Sequence, residues 1–427
     1  MKKKALLVTR VSGFVPQFET DAVHILQDMG YEVHYAANFD QIVYGKDNNR
    51  AVELGLICHP IPFARKLFCK ENRKAYRMLK ELMKKEQFDL VHCHMPLTGV
   101  LARMAAKKTK TATVIYTGHG FHFYSGASVK HWIFYPIERF MARYTDGLVT
   151  INEEDYQRAK KFPVRGKVYR IHGVGIDCEQ LLKKASSTYV EEKGEKIRVC
   201  KKCGAILKKA EQNVDQDSKT EQSSWKEKVT LLTVGELAPG KNHKVVLDAL
   251  AKLSDPDIGY YICGEGQCME ALRQRVRELK LEKQVHFLGY RTDVVSLLKK
   301  ADIFVFPSLR EGMPVAVMEA MALACPVVAY DIRGCRELIV DQKGGILLQD
   351  KSIESLTQAI QELANDPSER KRFGVFNQEK VKEYSDTVVK EERKRIYKEV
   401  LREAERQDRR NIFRSTLKGR KEGQKTE

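Results

Sequence analysis

No stretch of this chain reaches the roughly 18 consecutive apolar residues of a membrane-spanning helix. The opening, MKKKALLVTR, is basic, but its apolar part is only Ala5 to Val8, and Gly13 and Pro16 follow soon after. It reads as a first strand and not as an export signal. The ten cysteines lack framework spacing, which argues against a disulfide-stapled domain and fits reduced thiols in the cytoplasm. No G-x-G-x-x-G follows the first strand, which argues against a NAD-dependent enzyme. Acidic residues are in deficit: 57 Asp and Glu face 75 Lys and Arg, for a net charge of +18. That imbalance points to an anionic partner, whether nucleotide phosphates, nucleic acid or an acidic membrane surface; the alternative is a merely soluble basic protein.

What is present is enough for two or three cores: 427 residues, 43% of them apolar. Short apolar runs alternate with amphipathic stretches. Strands are predicted at Ala5–Thr9, Glu32–Ala36, Leu90–His94, Thr113–Thr117, Gly147–Ile151 and Val168–Ile171, with helices at Thr20–Met29 and Lys70–Lys85. From Tyr189 to Lys228 the chain turns polar and reads as a flexible insertion or linker. The alternation then resumes, with strands at Thr230–Val234, Gly259–Cys263, Val285–Leu288, Ile303–Phe306, Val327–Ala329 and Ile346–Leu348. Helices are predicted between them at Lys244–Lys252, Met269–Lys280, Val294–Lys299, Val315–Leu323 and Ile353–Ala364. The pattern predicts an α/β protein: a Rossmann-like domain over 1–186, a linker over 187–228, a second Rossmann-like domain over 229–385 and a basic helical tail over 386–427. Ligands of such sheets bind at the carboxyl ends of the strands, here facing a central cleft.

The most informative segment is DIFVFPSLREGMPVAVMEAMALACPVVAYDIRGCRELI, Asp302 to Ile339. A buried strand leads to a loop, and Pro314 suits the first turn of the helix that follows. The free N–H groups of that turn, with Gly312 allowing close approach, can face a phosphate or a sugar oxygen. Glu311 before the helix and Glu319 within it can accept hydrogen bonds from the hydroxyls of a polyol. The other reading makes them a cap and a solvated position, although Glu319 sits among Val317, Met318, Ala320 and Met321.

These residues resemble family 4 of the retaining glycosyltransferases, which have the two-domain GT-B fold. The resemblance covers nearly the whole chain outside Tyr189–Lys228, and the two glutamates separated by seven residues in EGMPVAVMEAMA make it specific. It implies that Glu311 contacts the transferred sugar and Glu319 the nucleotide ribose. The backbone of Gly312, Met313, Pro314 and Val315 would line the sugar and diphosphate. In VGELAPGKNHKVVLDAL the resemblance makes Lys241 the cation for the leaving diphosphate, against the plain reading of an exposed loop lysine. Many members carry an arginine where this chain has Glu236, which leaves Lys241 as the main candidate unless a second cation comes from elsewhere. Arg291 is a candidate, and Tyr290 and Arg291 are candidate nucleobase contacts. In TGHGFHFYSG, His119 matches the histidine that reaches the donor sugar, with His122 a weaker candidate. Ser12 and Gly13 lie on the loop after the first strand, which approaches the diphosphate and acceptor; the family's Gly-Gly pair is absent there.

The implied activity is transfer of a hexose or N-acetylhexosamine, with retention, from a nucleotide sugar, for which the resemblance favours a UDP-sugar, to a glycan or lipid-linked acceptor. No metal cofactor is expected, since the family lacks a metal-binding Asp-x-Asp pattern and none stands at a strand end here. Cys200 and Cys203 form the one close thiol pair, and a zinc there would need two more ligands, such as Cys178 or His172. The run Phe63–Glu86 has nine Lys/Arg and three Glu among apolar residues, and reads either as a helix lying on anionic lipid or as a solvated face over a core. Arg409–Glu427, with seven basic and two acidic residues, would add to such attraction at the inner face of the membrane. Two other activities remain open: a sugar-nucleotide epimerase of similar fold, and a nucleic-acid-binding protein, for which no recognition module is found.

Overall fold

Runs such as Leu-Val-His-Cys-His, Leu90–His94, have every residue buried, as expected for strands of a parallel sheet covered on both faces. The structure, a computed structural model, describes residues 2–44, 47–66, 69–111, 113–185, 187–192, 195–200, 206–209, 225 and 227–423. For 187–192, 195–200, 206–209 and 408–423 the main chain alone is described. The chain divides into two units, Met1–Gly175 with Asp386–Glu427, and Ile176–Ser385.

In the first unit a seven-stranded sheet has the order β3-β2-β1-β4-β5-β6-β7. Its strands are β1 (Lys4–Val11), β2 (Glu32–Asn38), β3 (Ile57–Pro60), β4 (Leu90–His94), β5 (Thr113–Gly118), β6 (Gly147–Thr150) and β7 (Lys167–Arg170). All neighbouring pairs are parallel. The helices are α1 (Phe14–Phe18), α2 (Thr20–Asp28), α3 (Asn49–Glu53), α4 (Lys70–Glu86), α5 (Pro96–Thr109), α6 (Val129–Trp132), α7 (Phe134–Met141) and α8 (Glu153–Ala159). Small residues let α5 sit close to the sheet: a Cβ on Gly99 would meet the Tyr116 ring at 2.5 Å.

The second unit begins with α9 (Cys178–Ala185), continues through β8 (Ser187–Glu192), β9 (Glu195–Cys200) and β10 (Ile206–Lys209), and then builds a parallel sheet of order β13-β12-β11-β14-β15-β16. Those strands are β11 (Val229–Val234), β12 (Ile258–Cys263), β13 (Val285–Gly289), β14 (Ile303–Phe306), β15 (Val327–Tyr330) and β16 (Gly345–Leu348). Its helices are α10 (Lys244–Leu253), α11 (Met269–Leu279), α12 (Val294–Lys300), α13 (Val315–Ala322), α14 (Arg333–Leu338), α15 (Ile353–Asn365) and α16 (Pro367–Lys380). Finally α17 (Asp386–Gly423) packs on α2 and β5 of the first unit.

The division departs from the predicted boundaries in two places. The first sheet's unit ends at Gly175, because α9 packs on α12 and α13 of the second. The predicted tail is a buttress of the first sheet, with Val389, Ile396, Tyr397 and Val400 buried. Within the predicted flexible insertion, β8, β9 and β10 form an antiparallel sheet. Residues 201–205 and 210–224 lie outside the described residues, and with them Cys203 of the proposed metal pair. His172, offered as a third ligand, is hydrogen-bonded through Nδ1 to Glu392 at 2.7 Å. Among the described residues no helix is long and apolar enough to cross a membrane.

The stripe in Phe63–Glu86 resolves in favour of the core. Phe63, Ala75, Leu79 and Met83 are buried in the first unit's main cluster, with Tyr76 and Leu82 against it. What α4 shows to solvent is mostly charge: Arg73, Lys74, Arg77, Lys84 and Lys85 with Glu71 and Glu81. Leu67 and Phe68 lie outside the described residues.

Candidate functional site

In both sheets the strand order reverses between the first and fourth strands, and crevices form at the carboxyl ends of such switch points. In the second unit that place lies between β11 and β14. The loop after β11 carries Glu236 and Lys241, and the loop after β14 carries Glu311. A backbone hydrogen bond from Leu309 N to Gly240 O, 2.9 Å, ties the two loops together. Lys241 Nζ consequently lies 2.6 Å from Glu311 Oε1, both side chains being partly exposed, and 5.3 Å from the Phe306 ring centre.

Pro314 is the N-cap of α13, so the first-turn N–H groups of the helix open beside Glu311. One turn in, Glu319 shares a helix face with Val315. Desolvation pushes its carboxyl up to about 7, with Lys184 of α9 pulling the other way. The loop is braced from α14. Arg333 donates Nε–H to Glu311 O at 2.8 Å, and a Cβ on Gly334 would meet Gly312 O at 2.7 Å and Pro314 Cδ at 2.9 Å.

The predicted residues Lys241, Glu311, Gly312, Met313, Pro314, Val315 and Glu319 thus lie on loops and a helix at one switch point. Tyr290 and Arg291 follow β13 along the same sheet edge, two strands from β11. Tyr290 is 68% exposed, whereas Arg291 is engaged by Asp293 through two hydrogen bonds of 2.7 Å. Glu236 is exposed.

In the first unit Gly13 follows β1, and a Cβ there would meet Val43 O at 1.8 Å, so the residue is required by a backbone approach. Ser12 Oγ is buried with no hydrogen-bond partner among the described residues. His119 follows β5 on a loop that needs a positive φ of 122° at Gly120. Phe121 N donates to Asp155 and Ser125 N to Glu154, which fixes the loop. His122 turns away to pack its ring 4.7 Å from that of Phe134.

Around His119 is a buried network that sequence reasoning missed. Its Nε2 lies 3.0 Å from His94 Nδ1 and 3.6 Å from Glu19 Oε1. Arg393 of α17 places Nη1 2.7 Å from Glu19 Oε2. Burial, then Arg393, hold His119 down to about 3, and burial pushes Glu19 up to about 7 against the pull of Arg393. Two neutral imidazoles in contact must share one proton, so the network selects a tautomer for each ring. Glu19, His94 and His119 hold their ligand atoms within 4.8 Å, as a metal site would. Arg393 already supplies the cation that Glu19 needs. The adjacent strand-end histidines of LVHCH were a local signal, while Glu19 and Arg393, 374 residues apart, offered none.

Comparison with known proteins follows this geometry. The family described as "Glycosyl transferases group 1" matches residues 215–380, and "Glycosyltransferase Family 4" matches residues 20–180. EpsD of Bacillus subtilis (strain 168), a protein named as a glycosyltransferase, is 31% identical over 404 residues, covering 93% of this chain and 97% of that protein. An Escherichia coli protein named UDP-Gal:alpha-D-GlcNAc-diphosphoundecaprenol alpha-1,3-galactosyltransferase is 28% identical over 330 residues, 76% of this chain and 77% of its own. Among solved structures, Anabaena HepE in complex with UDP-glucose matches with a TM-score of 0.70 at 15% identity, covering 93% of this chain and 99% of that one. At that identity the likeness speaks for the fold.

Proposed function

The chain belongs to the family 4, group 1 glycosyltransferases, and from that premise we propose that it moves a hexose or N-acetylhexosamine, with retention, from a UDP-linked donor to a glycan or lipid-linked acceptor in surface polysaccharide or glycoconjugate synthesis. The observation that carries the reading is the meeting of a helix N-terminus, two glutamates and Lys241 at the switch point of the second sheet. The names of relatives that act on diphospho-polyprenol-linked sugars support the acceptor class.

In this reading Glu311 accepts hydrogen bonds from donor-sugar hydroxyls and Glu319 from the ribose. The diphosphate lies against the first turn of α13, and Lys241 turns from Glu311 toward it. The bond from the anomeric carbon to the phosphate oxygen breaks, and its electron pair stays on the departing UDP. The acceptor oxygen bonds to the anomeric carbon on the same face and gives its proton to that phosphate oxygen. The helix terminus and Lys241 stabilise the charge that develops on the leaving group. In the first unit His119, kept neutral by burial, can take part in a hydrogen bond without adding charge. No divalent cation enters the scheme, so chelation leaves the rate unchanged. The enzyme acts in the cytoplasm, peripheral to the inner face of the membrane.

The test is to incubate the full chain with a panel of UDP-sugars and a sugar-diphospho-polyprenol, following UDP release and the anomeric configuration of the product. Transfer with an α linkage from an α donor supports the reading. Isomerised nucleotide sugar without any transfer would instead establish an epimerase.

A further inference from the structure

Four of the exposed large apolar residues of the first unit lie within 129–140, on α6, on α7 and at the residue between them. Val129 is 87% exposed, Ile133 64% and Phe140 53%, with Trp132 beside them at 37%. Val129, Ile133, Pro136 and Phe140 recur at the spacing of one helical face, and all four are exposed. The opposite face is the one the core uses: Glu138 and Met141 are buried, and Phe134 and Tyr135 pack on the main cluster. The outer stripe is therefore surplus to folding.

Its electrostatic surroundings are one-sided. From Met104 to Tyr144 the sequence has six Lys and Arg residues and a single acidic one, Glu138. That carboxylate is withdrawn from the surface, 2.7 Å from the buried Arg103 guanidinium. Exposed Lys130, Arg139 and Arg143 lie on the two helices or just beyond them, and Lys107 at the end of α5 donates to Tyr144 Oη at 2.6 Å. A second copy of the chain meeting this face across a twofold axis would bring the same cations together. A bilayer with anionic headgroups suits it instead: the aromatic and aliphatic tips enter the headgroup–acyl boundary, while arginine and lysine meet phosphate.

We propose that the outer face of α6 and α7, with Val129, Trp132, Ile133 and Phe140 flanked by Arg139 and Arg143, docks on an anionic phospholipid surface. This gives the membrane contact a place other than α4, whose apolar side is in the core. Ring contacts tie the docking face to the His119 loop: His122 to Phe134 at 4.7 Å, Phe123 to Tyr135 at 5.3 Å and Phe123 to Trp132 at 6.2 Å. Docking would hold that loop at the depth of lipid phosphates, where the head of a lipid-linked acceptor lies. This consequence rests on the acceptor class proposed above; the docking itself does not.

The full chain carries two tryptophans, so Trp225→Phe leaves Trp132 as the sole reporter. Its emission is recorded with vesicles of equal parts phosphatidylglycerol and phosphatidylcholine, and with phosphatidylcholine alone. A blue shift with the anionic vesicles only, reversed by added salt, is expected. No shift, or an equal shift with both, overturns the proposal. In sedimentation with the same anionic vesicles, Ile133→Ser with Phe140→Ser is expected to bind at least tenfold more weakly. UDP release to a water-soluble acceptor should be unchanged, which also shows that the variant is folded. Undiminished binding by that variant overturns the proposal, as does a concentration-dependent dimer that the same substitutions abolish. Binding is read without donor or acceptor, so a wrong acceptor class would leave this result standing.

Discussion

Glu319 is a carboxyl in a place that disfavours its charge. Its folded pKa, about 7, stands above the ordinary value of 4.5, so whatever stability it contributes is present below 4.5 and is lost as pH rises through 7. Glu319→Gln, which never ionises, should therefore stabilise the ligand-free protein at pH 8 by on the order of 1 kcal/mol, while donor affinity falls. Urea unfolding at pH 8 beside a donor titration checks both; a variant less stable than the parent contradicts the assignment. Glu311 differs in having Lys241 against it. Glu311→Gln keeps the shape but removes the charged acceptor, and should lower kcat/KM by roughly 10–100-fold with little change in fold. Full transfer activity with unchanged donor affinity would count against its role.

At the scale of elements, the loop between Glu311 and α13 depends on how closely α14 approaches it. Gly334→Ala places a methyl against Gly312 O and Pro314 Cδ, both nearer than 3.0 Å, and one backbone must give. The expected cost is ~1–3 kcal/mol of stability with a raised donor KM, read by thermal unfolding and initial rates. Most of these elements were legible in the sequence. The strand Ile303–Phe306 was placed to the residue, and the helix from Val315 to within one residue of its end, because a buried apolar run and a proline mark them. β3 was missed: an edge strand of four residues, none buried, carries no alternation. The apolar stripe of α4 was visible too, but periodicity reports that a face exists and not what covers it. The network around His119 was legible only in the histidines of β4, since its other parts come from α17 and from the junction of α1 and α2.

Across the whole molecule, several buried histidines are held neutral. Desolvation depresses His92, His94, His119 and His243, the last to about 4. Their contribution is complete above the unfolded value of 6.5 and is lost as pH falls through the depressed folded values. Glu19 and Glu319 act in the opposite sense between 4.5 and about 7, because the folded state keeps their protons longer. The histidines are the larger set, so stability should fall on acidification below 6.5 and more steeply below 4.5, where the opposing carboxyls no longer contribute. Denaturant midpoints at a series of pH values test this, and a flat profile from 7 to 4 would refute it.

The return of α17 to the first unit has a consequence for the order in which the protein is made. The first unit's sheet is translated by Arg170, yet Arg393, the cation that Glu19 requires, and Tyr397, which hydrogen-bonds His92 at 2.7 Å, are added after the whole second unit. On the ribosome the first unit must therefore wait, with Glu19 lacking its arginine, while its neighbour is synthesised and folds. The half of the enzyme that is begun first is the half completed last.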